Sequence, residues 1–445
     1  AEEDITRIPL DTLLDIYRGY DGKPIEGEAF IGREAELESL QRALCCDKPG
    51  ASLVFGVRRL GKTSLMGELR RRKCATHRSG SRTMFITIPV DTFEGKAGSR
   101  FLGRFYEHIA ESLVYDNKNQ LVRDLYERAG VGKNKLRQLS ILGEEYKDVS
   151  FKIKLNEYMS RLRQSSGNRI DKVVLIFDEF DKLLESYRKG MEADVEELLN
   201  HIRHVALEED DVGVVLVGSD LMREVVTRYR SALHGSATEI EVSRFVGEER
   251  YREAEQIVAP HRIRQHREFP GSVVREAVEI TGGHPLYLKI VGCAVAEKSD
   301  RRRISNGMLH KAVRELIDNK VLQGSIPDPR NLVQQPMQAL ALMRSEIDEA
   351  CAKLLLVQLS RHTSLERRWA SWNTVVNDDR ILSLRPRPTW DMLRDGLRDA
   401  SLIVFNDNYL ISLTFPILAE VLRVDAEMRM DRLCSEIEML IEGKQ

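Results

Sequence analysis

What this sequence has little of narrows it first. No stretch of about 18 apolar residues occurs, so nothing in it reads as a helix that spans a bilayer, and no membrane partner is expected. The opening residues Ala1-Glu2-Glu3-Asp4-Ile5-Thr6-Arg7 lack the basic-then-apolar order of a secretory leader. Charge of one sign is missing as well. Lys plus Arg number 68 against 70 Asp plus Glu, a net charge of −2, so any contact with nucleic acid or an anionic surface would have to be local. Cys45, Cys46, Cys74, Cys293, Cys351 and Cys434 form neither a Cys-x-x-Cys pair nor a Cys/His metal spacing. They are expected to be reduced, mostly buried thiols, and the chain a soluble cytoplasmic protein. Its 445 residues suffice for about three domains with buried cores.

What is present is concentrated at Gly56-Val57-Arg58-Arg59-Leu60-Gly61-Lys62-Thr63, between the apolar run Ser52-Leu53-Val54-Phe55 and a helical pattern that begins at Lys62. Glycines at both ends let the backbone curl so that successive N–H groups point inward, and the following helix adds the positive end of its dipole. Such a loop holds phosphates largely by main chain. Lys62 would reach the β and γ phosphates and the Thr63 hydroxyl would ligate Mg²⁺, with Ser64 completing the binding segment.

The second signal is Lys172-Val173-Val174-Leu175-Ile176-Phe177-Asp178-Glu179-Phe180-Asp181. The five apolar residues 173–177 suit a parallel strand buried on both faces, and carboxylates at its C-terminal tip suit a ligand crevice beside the phosphate loop. Asp178 would hold the metal through water and Glu179 would act as general base toward the attacking water. Arg82 to Val90 reads as another strand, with Pro89 placing it near a sheet edge. Residues 100 to 165 are mainly helical by pattern and carry no identifiable chemistry. No Asn-Lys-x-Asp guanine-reading motif occurs, which favours ATP/ADP.

Phe30-Ile31-Gly32-Arg33-Glu34, a short way upstream of the loop, resembles the entry motif of the archaeal-type ATPases, the STAND signalling ATPases and the origin-recognition initiators, all close to the AAA+ fold. The arginine-rich loop is most similar to the STAND and archaeal-type branch, with Val57 where those loops often carry proline. The resemblance implies that Ile31, Gly32 and Arg33 sit near the adenine. It also implies that Ser219, at the tip of the strand pattern Val212 to Val217, is a sensor of the γ-phosphate or lytic water. Arg223, Arg228 or Arg230 would be an arginine finger by the same resemblance, although an ordinary surface arginine is the blander reading of each. Ile280-Thr281-Gly282-Gly283-His284-Pro285 resembles the family's lid signature, whose proline packs near the adenine. By local chemistry alone, two glycines ending one helix and Pro285 starting the next could be a simple junction.

Thr238 to Phe245 alternates as a last strand. From about Ser345 the pattern is helical, with helices at Ala350 to Leu359 and Thr389 to Ala400. Two short strands follow, Leu402 to Phe405 and Tyr409 to Leu413, and this helix-and-hairpin order resembles a winged helix. The expected architecture is α/β: an N-terminal arm (1–28), a P-loop ATPase core with a parallel sheet (29–245), a helical lid (246–310), a winged-helix-like domain (311–425) and a helical tail (426–445). The tail pattern suits either pairing with another chain or packing on its own domain.

Two functions follow. The first is an ATP-hydrolysing switch whose nucleotide state controls conformation, self-assembly or a protein partner, as the resemblance implies for signalling, regulation or phage defence. The second is a DNA-binding loader or initiator that uses the winged helix. Charge favours the first, because residues 341–425 hold 11 basic against 12 acidic residues, and Asp391, Asp395 and Asp399 share the candidate recognition helix with Arg394 and Arg398.

Overall fold

A computed structural model describes residues 8–17, 24–46, 48–72, 83–89, 172–181, 199–200, 202–203, 206, 210–227, 233, 235–299, 302–317, 340, 345–384, 390–400 and 402–442. The helical pattern at 100–165, Arg228 and Arg230 lie outside the described residues. The chain divides into two compact units, one made of Glu26–Gly56 and Lys62–Val242, the other of Ala1–Ile25, Val57–Gly61 and Ser243–Gln445.

In chain order the first element, α1 (Leu10–Ile16), belongs to the second of these units. The α/β unit begins with α2 (Glu34–Leu44), whose Leu37, Leu40 and Leu44 recur at helical spacing and are buried. Strand β1 (Ala51–Phe55) is buried at every position because it lies between two parallel neighbours, which a continuous apolar run suits and an alternating one does not. After it come α3 (Lys62–Arg72), β2 (Thr83–Pro89), β3 (Lys172–Asp178), β4 (Val212–Val217), α4 (Asp220–Thr227) and β5 (Ala237–Glu241). The sheet is parallel, in the order β2-β3-β4-β1-β5, so β2, the strand that ends in Pro89, is an edge. Strand β5 stops at Glu241, short of the Phe245 expected from alternation.

A buried carboxylate anchors the segment ahead of α2. Glu68 on α3 accepts from Arg71 Nε (2.8 Å), Arg72 Nε (2.6 Å) and the Gly27 N–H (3.0 Å), while Arg72 also bonds Glu34. The Arg71 hydrogen bond is the largest of the influences that hold the Glu68 carboxyl at about 2. A carboxyl whose folded pKa is depressed stabilises the fold above its unfolded pKa, near 4.5, and loses that contribution as pH falls toward 2. Glu68→Gln is therefore expected to lower the melting temperature at pH 7, by about 1–2 kcal/mol of stability, and to flatten the loss between pH 4.5 and 2. Melting curves at pH 7, 4 and 3 check it, and parallel wild-type and variant curves would refute it.

The second unit is mainly helical. Its α5 (Tyr251–Val258), α6 (His261–Arg264), α7 (Gly271–Thr281) and α9 (Asn306–Ile317) pack around α8 (Pro285–Lys298), which is buried continuously from Leu286 to Ala296. Helix α1 packs against α8: Leu13 and Tyr17 are buried, and the Tyr17 hydroxyl donates to the Val258 carbonyl (2.7 Å). Further along, α10 (Glu346–His362) is capped by Ser345, whose Oγ accepts from the Asp348 N–H (3.1 Å). Then come β6 (Ala370–Ser371), α11 (Trp372–Val376), α12 (Asp379–Ser383), α13 (Trp390–Asp399), β7 (Ile403–Phe405), β8 (Leu410–Leu413), α14 (Ile417–Arg423) and α15 (Ala426–Glu442). The expected hairpin gains a third strand, in the order β6-β8-β7. Tail helix α15 packs along α10, burying Met430 and Ile437.

The cysteine expectation needs one correction. Cys46, Cys293, Cys351 and Cys434 are free, but Cys45 is disulfide-bonded, with its partner outside the described residues. Chain spacing cannot reveal such a pair, because what brings two sulfurs together is the fold. Among the described residues no helix is long and apolar enough to cross a membrane.

Candidate nucleotide site

The loop 56–63 leaves β1 and runs into α3. Gly56 sits at φ +139°, and a side chain there would press on the Val242 carbonyl, 2.5 Å from the added carbon, so this position tolerates only glycine. Gly61 (φ +95°) and Arg59 (φ +60°) complete the reversal. The Lys62 ammonium folds back to donate to the Gly56 carbonyl (2.7 Å), and Leu60 is buried beneath the turn. Ser64 is buried in the first turn of α3.

Strand β3 carries Asp178 to the same place. The Thr63 hydroxyl donates to Asp178 Oδ2 (3.0 Å), and Asp178 Oδ1 accepts from the Glu179 N–H (2.9 Å). Burial raises the Asp178 carboxyl above its usual range, which these two hydrogen bonds partly offset. Glu179 follows in the left-handed region (φ 56°), which turns its carboxylate outward to solvent while Phe180 goes inward and ties its N–H to the Val217 carbonyl (2.9 Å). Two residues 115 positions apart thus meet because parallel strands present their C-terminal tips on one edge of the sheet.

Other expected residues have different neighbours. Ser219 donates its hydroxyl to Asp181 Oδ1 (2.5 Å), which also accepts the Ser219 N–H (3.0 Å). Asp181, buried and linking the tips of β3 and β4, is the residue the sequence reading passed over; its signal was a third carboxylate two positions after Glu179. Asp220, also unremarked, is raised by burial, with Lys62 acting oppositely through its charge. Arg223 pairs with Glu239 (2.6 Å) and lies over the Phe55 ring (4.8 Å) inside its own unit. Arg33, at φ 70° after Gly32 at φ 71°, is buried and donates to Glu36 (3.0 Å) at the start of α2, while Ile31 is half-buried.

Within the second unit, Pro285 occupies the first turn of α8 and His284 meets the loop: its Nε2 lies 3.1 Å from the Arg58 carbonyl. The ring stacks on Tyr287 (4.4 Å) and faces Phe415 edge-on (5.2 Å). Both glycines before it have positive φ, and added side chains would collide with the Thr414 and Phe245 carbonyls, so this junction is also a point of close backbone approach.

Comparison with known proteins agrees with this geometry. The family model described as an ATPase domain predominantly from Archaea matches residues 30–291. Among solved structures, a Walker-type ATPase of Pyrococcus abyssi is similar, with a TM-score of 0.56 and 17% identity, covering 91% of this chain and 100% of that one. The ORC2 protein of Aeropyrum pernix, solved as ADPNP-ADP complexes, has a TM-score of 0.50 and 14% identity, over 96% and 98% of the two chains. At such identities these structures show a shared fold. No curated protein matches. The family match spans more than half of the sequence and includes the phosphate loop and the Asp178-Glu179 tip, and the chain belongs to the family of ATPase domains found predominantly in Archaea.

Proposed function

We propose that this ATPase is a nucleotide-controlled conformational switch, in which ATP at the loop 56–64 biases the segment 245–310. The observation that carries this reading is the bond between His284 and the Arg58 carbonyl (3.1 Å). Any rearrangement of the phosphate loop on nucleotide binding moves that carbonyl, and His284 passes the movement to Tyr287 and Phe415, which it touches. Lys62 would leave the Gly56 carbonyl for the β and γ phosphates.

Glu179 would take the proton of the attacking water, and Ser219 would orient near it, steadied by Asp181. The pair Thr63 and Asp178 fits a magnesium ion, because a hydroxyl and a desolvated carboxylate converge at 3.0 Å. When bound, the ion supplies charge neutralisation for the transferring phosphoryl group. Ile31, Gly32 and Arg33 would border the adenine, as the likeness to STAND and archaeal-type ATPases suggests. That likeness also supports nucleotide-dependent self-assembly or a protein partner, in signalling, regulation or phage defence, with the helix-and-hairpin region 311–425 acting as a winged-helix-like partner surface.

The DNA-loader alternative is the weaker one. Arg394 on α13 is engaged by Asp391 (3.0 Å) and Asp395 (3.4 Å), and Arg398 lies 3.8 Å from Asp395, so these arginines face carboxylates before any phosphate.

The deciding experiment is limited proteolysis with ADP and with ATP, using Glu179→Gln to hold the triphosphate. Cleavage within 245–310 is expected to differ between the two nucleotides. Identical patterns, together with tight duplex-DNA binding of steep salt dependence, would favour the loader.

A further inference from the structure

A phosphate loop works through inward-facing main-chain N–H groups, and its glycines serve that need without any long side chain at the apex. Arg59 places one there all the same. It stands in the left-handed region (φ 60°), a conformation that crowds any side chain and that glycine adopts freely. Residues held against their own backbone preference cluster at functional sites.

Its surroundings are as unusual as its backbone. Arg59 is exposed, and no described residue bonds or pairs with its guanidinium. Arginines of the α/β unit are engaged by contrast: Arg33 with Glu36 (3.0 Å), Arg70 with the Thr87 hydroxyl (3.2 Å) and Arg223 with Glu239 (2.6 Å). Burial raises the Tyr287 hydroxyl, and the Arg59 charge acts oppositely on it. Tyr287 stacks on the His284 ring, which meets the Arg58 carbonyl, so the guanidinium stays beside the loop. A neutral phenol gives it no counter-charge.

The ligand of such a loop is a polyanion. Lys62 is the first residue of α3, and only three residues, at most about 11 Å of chain, separate it from Arg59, within the combined reach of two long side chains. Phosphoryl transfer spreads negative charge over the oxygens of the transferring group, and a guanidinium placed on them lowers the barrier. We infer that Arg59 is a catalytic residue: its guanidinium, carried by the phosphate loop itself, contacts the terminal phosphate of ATP and stabilises the charge that grows there as water attacks. The inference rests on the reading of the loop 56–64 as the ATP site. It supplies within one chain the cation that Arg223, held by Glu239 and lying over Phe55, does not offer.

The test uses the full chain with Arg59→Gly, Arg59→Lys, Glu179→Gln and Lys62→Ala, each followed by ATP turnover, by calorimetric affinity for ATP and ADP, and by a melting curve. Arg59→Gly is expected to slow turnover about 10²-fold, with ATP affinity changed less than about threefold and ADP affinity unchanged, because the cation acts chiefly in the transition state. Its melting temperature should equal or exceed that of the wild type, since glycine relieves the left-handed backbone; an arginine that served only the fold would give the opposite. Guanidinium chloride at a millimolar, non-denaturing concentration should restore part of the rate to Arg59→Gly and none to Glu179→Gln. Arg59→Lys should keep about a tenth of the rate, having the charge without the planar fork. The inference is overturned by wild-type turnover in Arg59→Gly, by a lowered melting temperature in that variant, by the absence of guanidinium rescue, or by equal losses of ATP and ADP affinity, which would make Arg59 a binding residue only. Unchanged ATP affinity in Lys62→Ala would instead sink the loop reading; lost affinity there with an undiminished rate in Arg59→Gly would sink this inference alone.

Discussion

Glu179→Gln is expected to keep ATP bound and to slow its hydrolysis by about 10²-fold or more. The preceding residue, Asp178, is engaged with Thr63, and the left-handed turn at Glu179 directs the next carboxylate outward from the strand tip. An amide at that position can still hold a water by hydrogen bonds, but it cannot accept the proton released as the water attacks. Asp178→Ala should act differently. It removes the carboxylate beside the Thr63 hydroxyl and is expected to weaken the dependence on magnesium along with nucleotide affinity. Phosphate release followed alongside retention of labelled ATP separates the two effects. Turnover at the wild-type rate in Glu179→Gln would assign the base elsewhere.

Lys62→Ala should abolish tight ATP binding while leaving the chain folded. The ammonium that now donates to the Gly56 carbonyl at 2.7 Å is held at the mouth of the loop by α3, whose first residue it is. A charge-assisted bond from it to the β and γ phosphates is worth about 1.5–3 kcal/mol, and losing that weakens affinity roughly 10- to 150-fold. The loop itself should persist, because its curvature rests on the positive φ of Gly56 and Gly61 and on the buried Leu60. Titration calorimetry with a melting curve on the same sample checks both halves. Unchanged affinity would displace the site, and a collapsed melting temperature would mean that Lys62 serves the fold.

Much of the parallel sheet could be read in advance, because buried strands write themselves as unbroken apolar runs. Val173 to Phe177 and Val212 to Val217 are such runs, and each is buried throughout. Strand β5 was harder, since an edge strand with exposed Thr238 and Glu239 offers only alternation, and that pattern ran past its true end at Glu241. The short β6 had no signal at all, because two residues carry no period.

By itself the sequence determined the elements whose physics is local: the glycine-ended loop that opens α3, the apolar strands, the acidic tip of β3, and the helix junction at Gly282-Gly283-His284-Pro285. Only the tertiary structure decided which side chains meet. It brought Ser219 to Asp181, tied the Gly27 N–H to the Glu68 carboxylate, joined the Thr63 hydroxyl to Asp178 and set His284 against the Arg58 carbonyl. The reason is that a phosphate loop or a buried strand is specified by neighbours a few residues away. A partner for a carboxylate or a hydroxyl is specified by which distant segment burial brings within 3 Å, and no period or spacing along the chain encodes that.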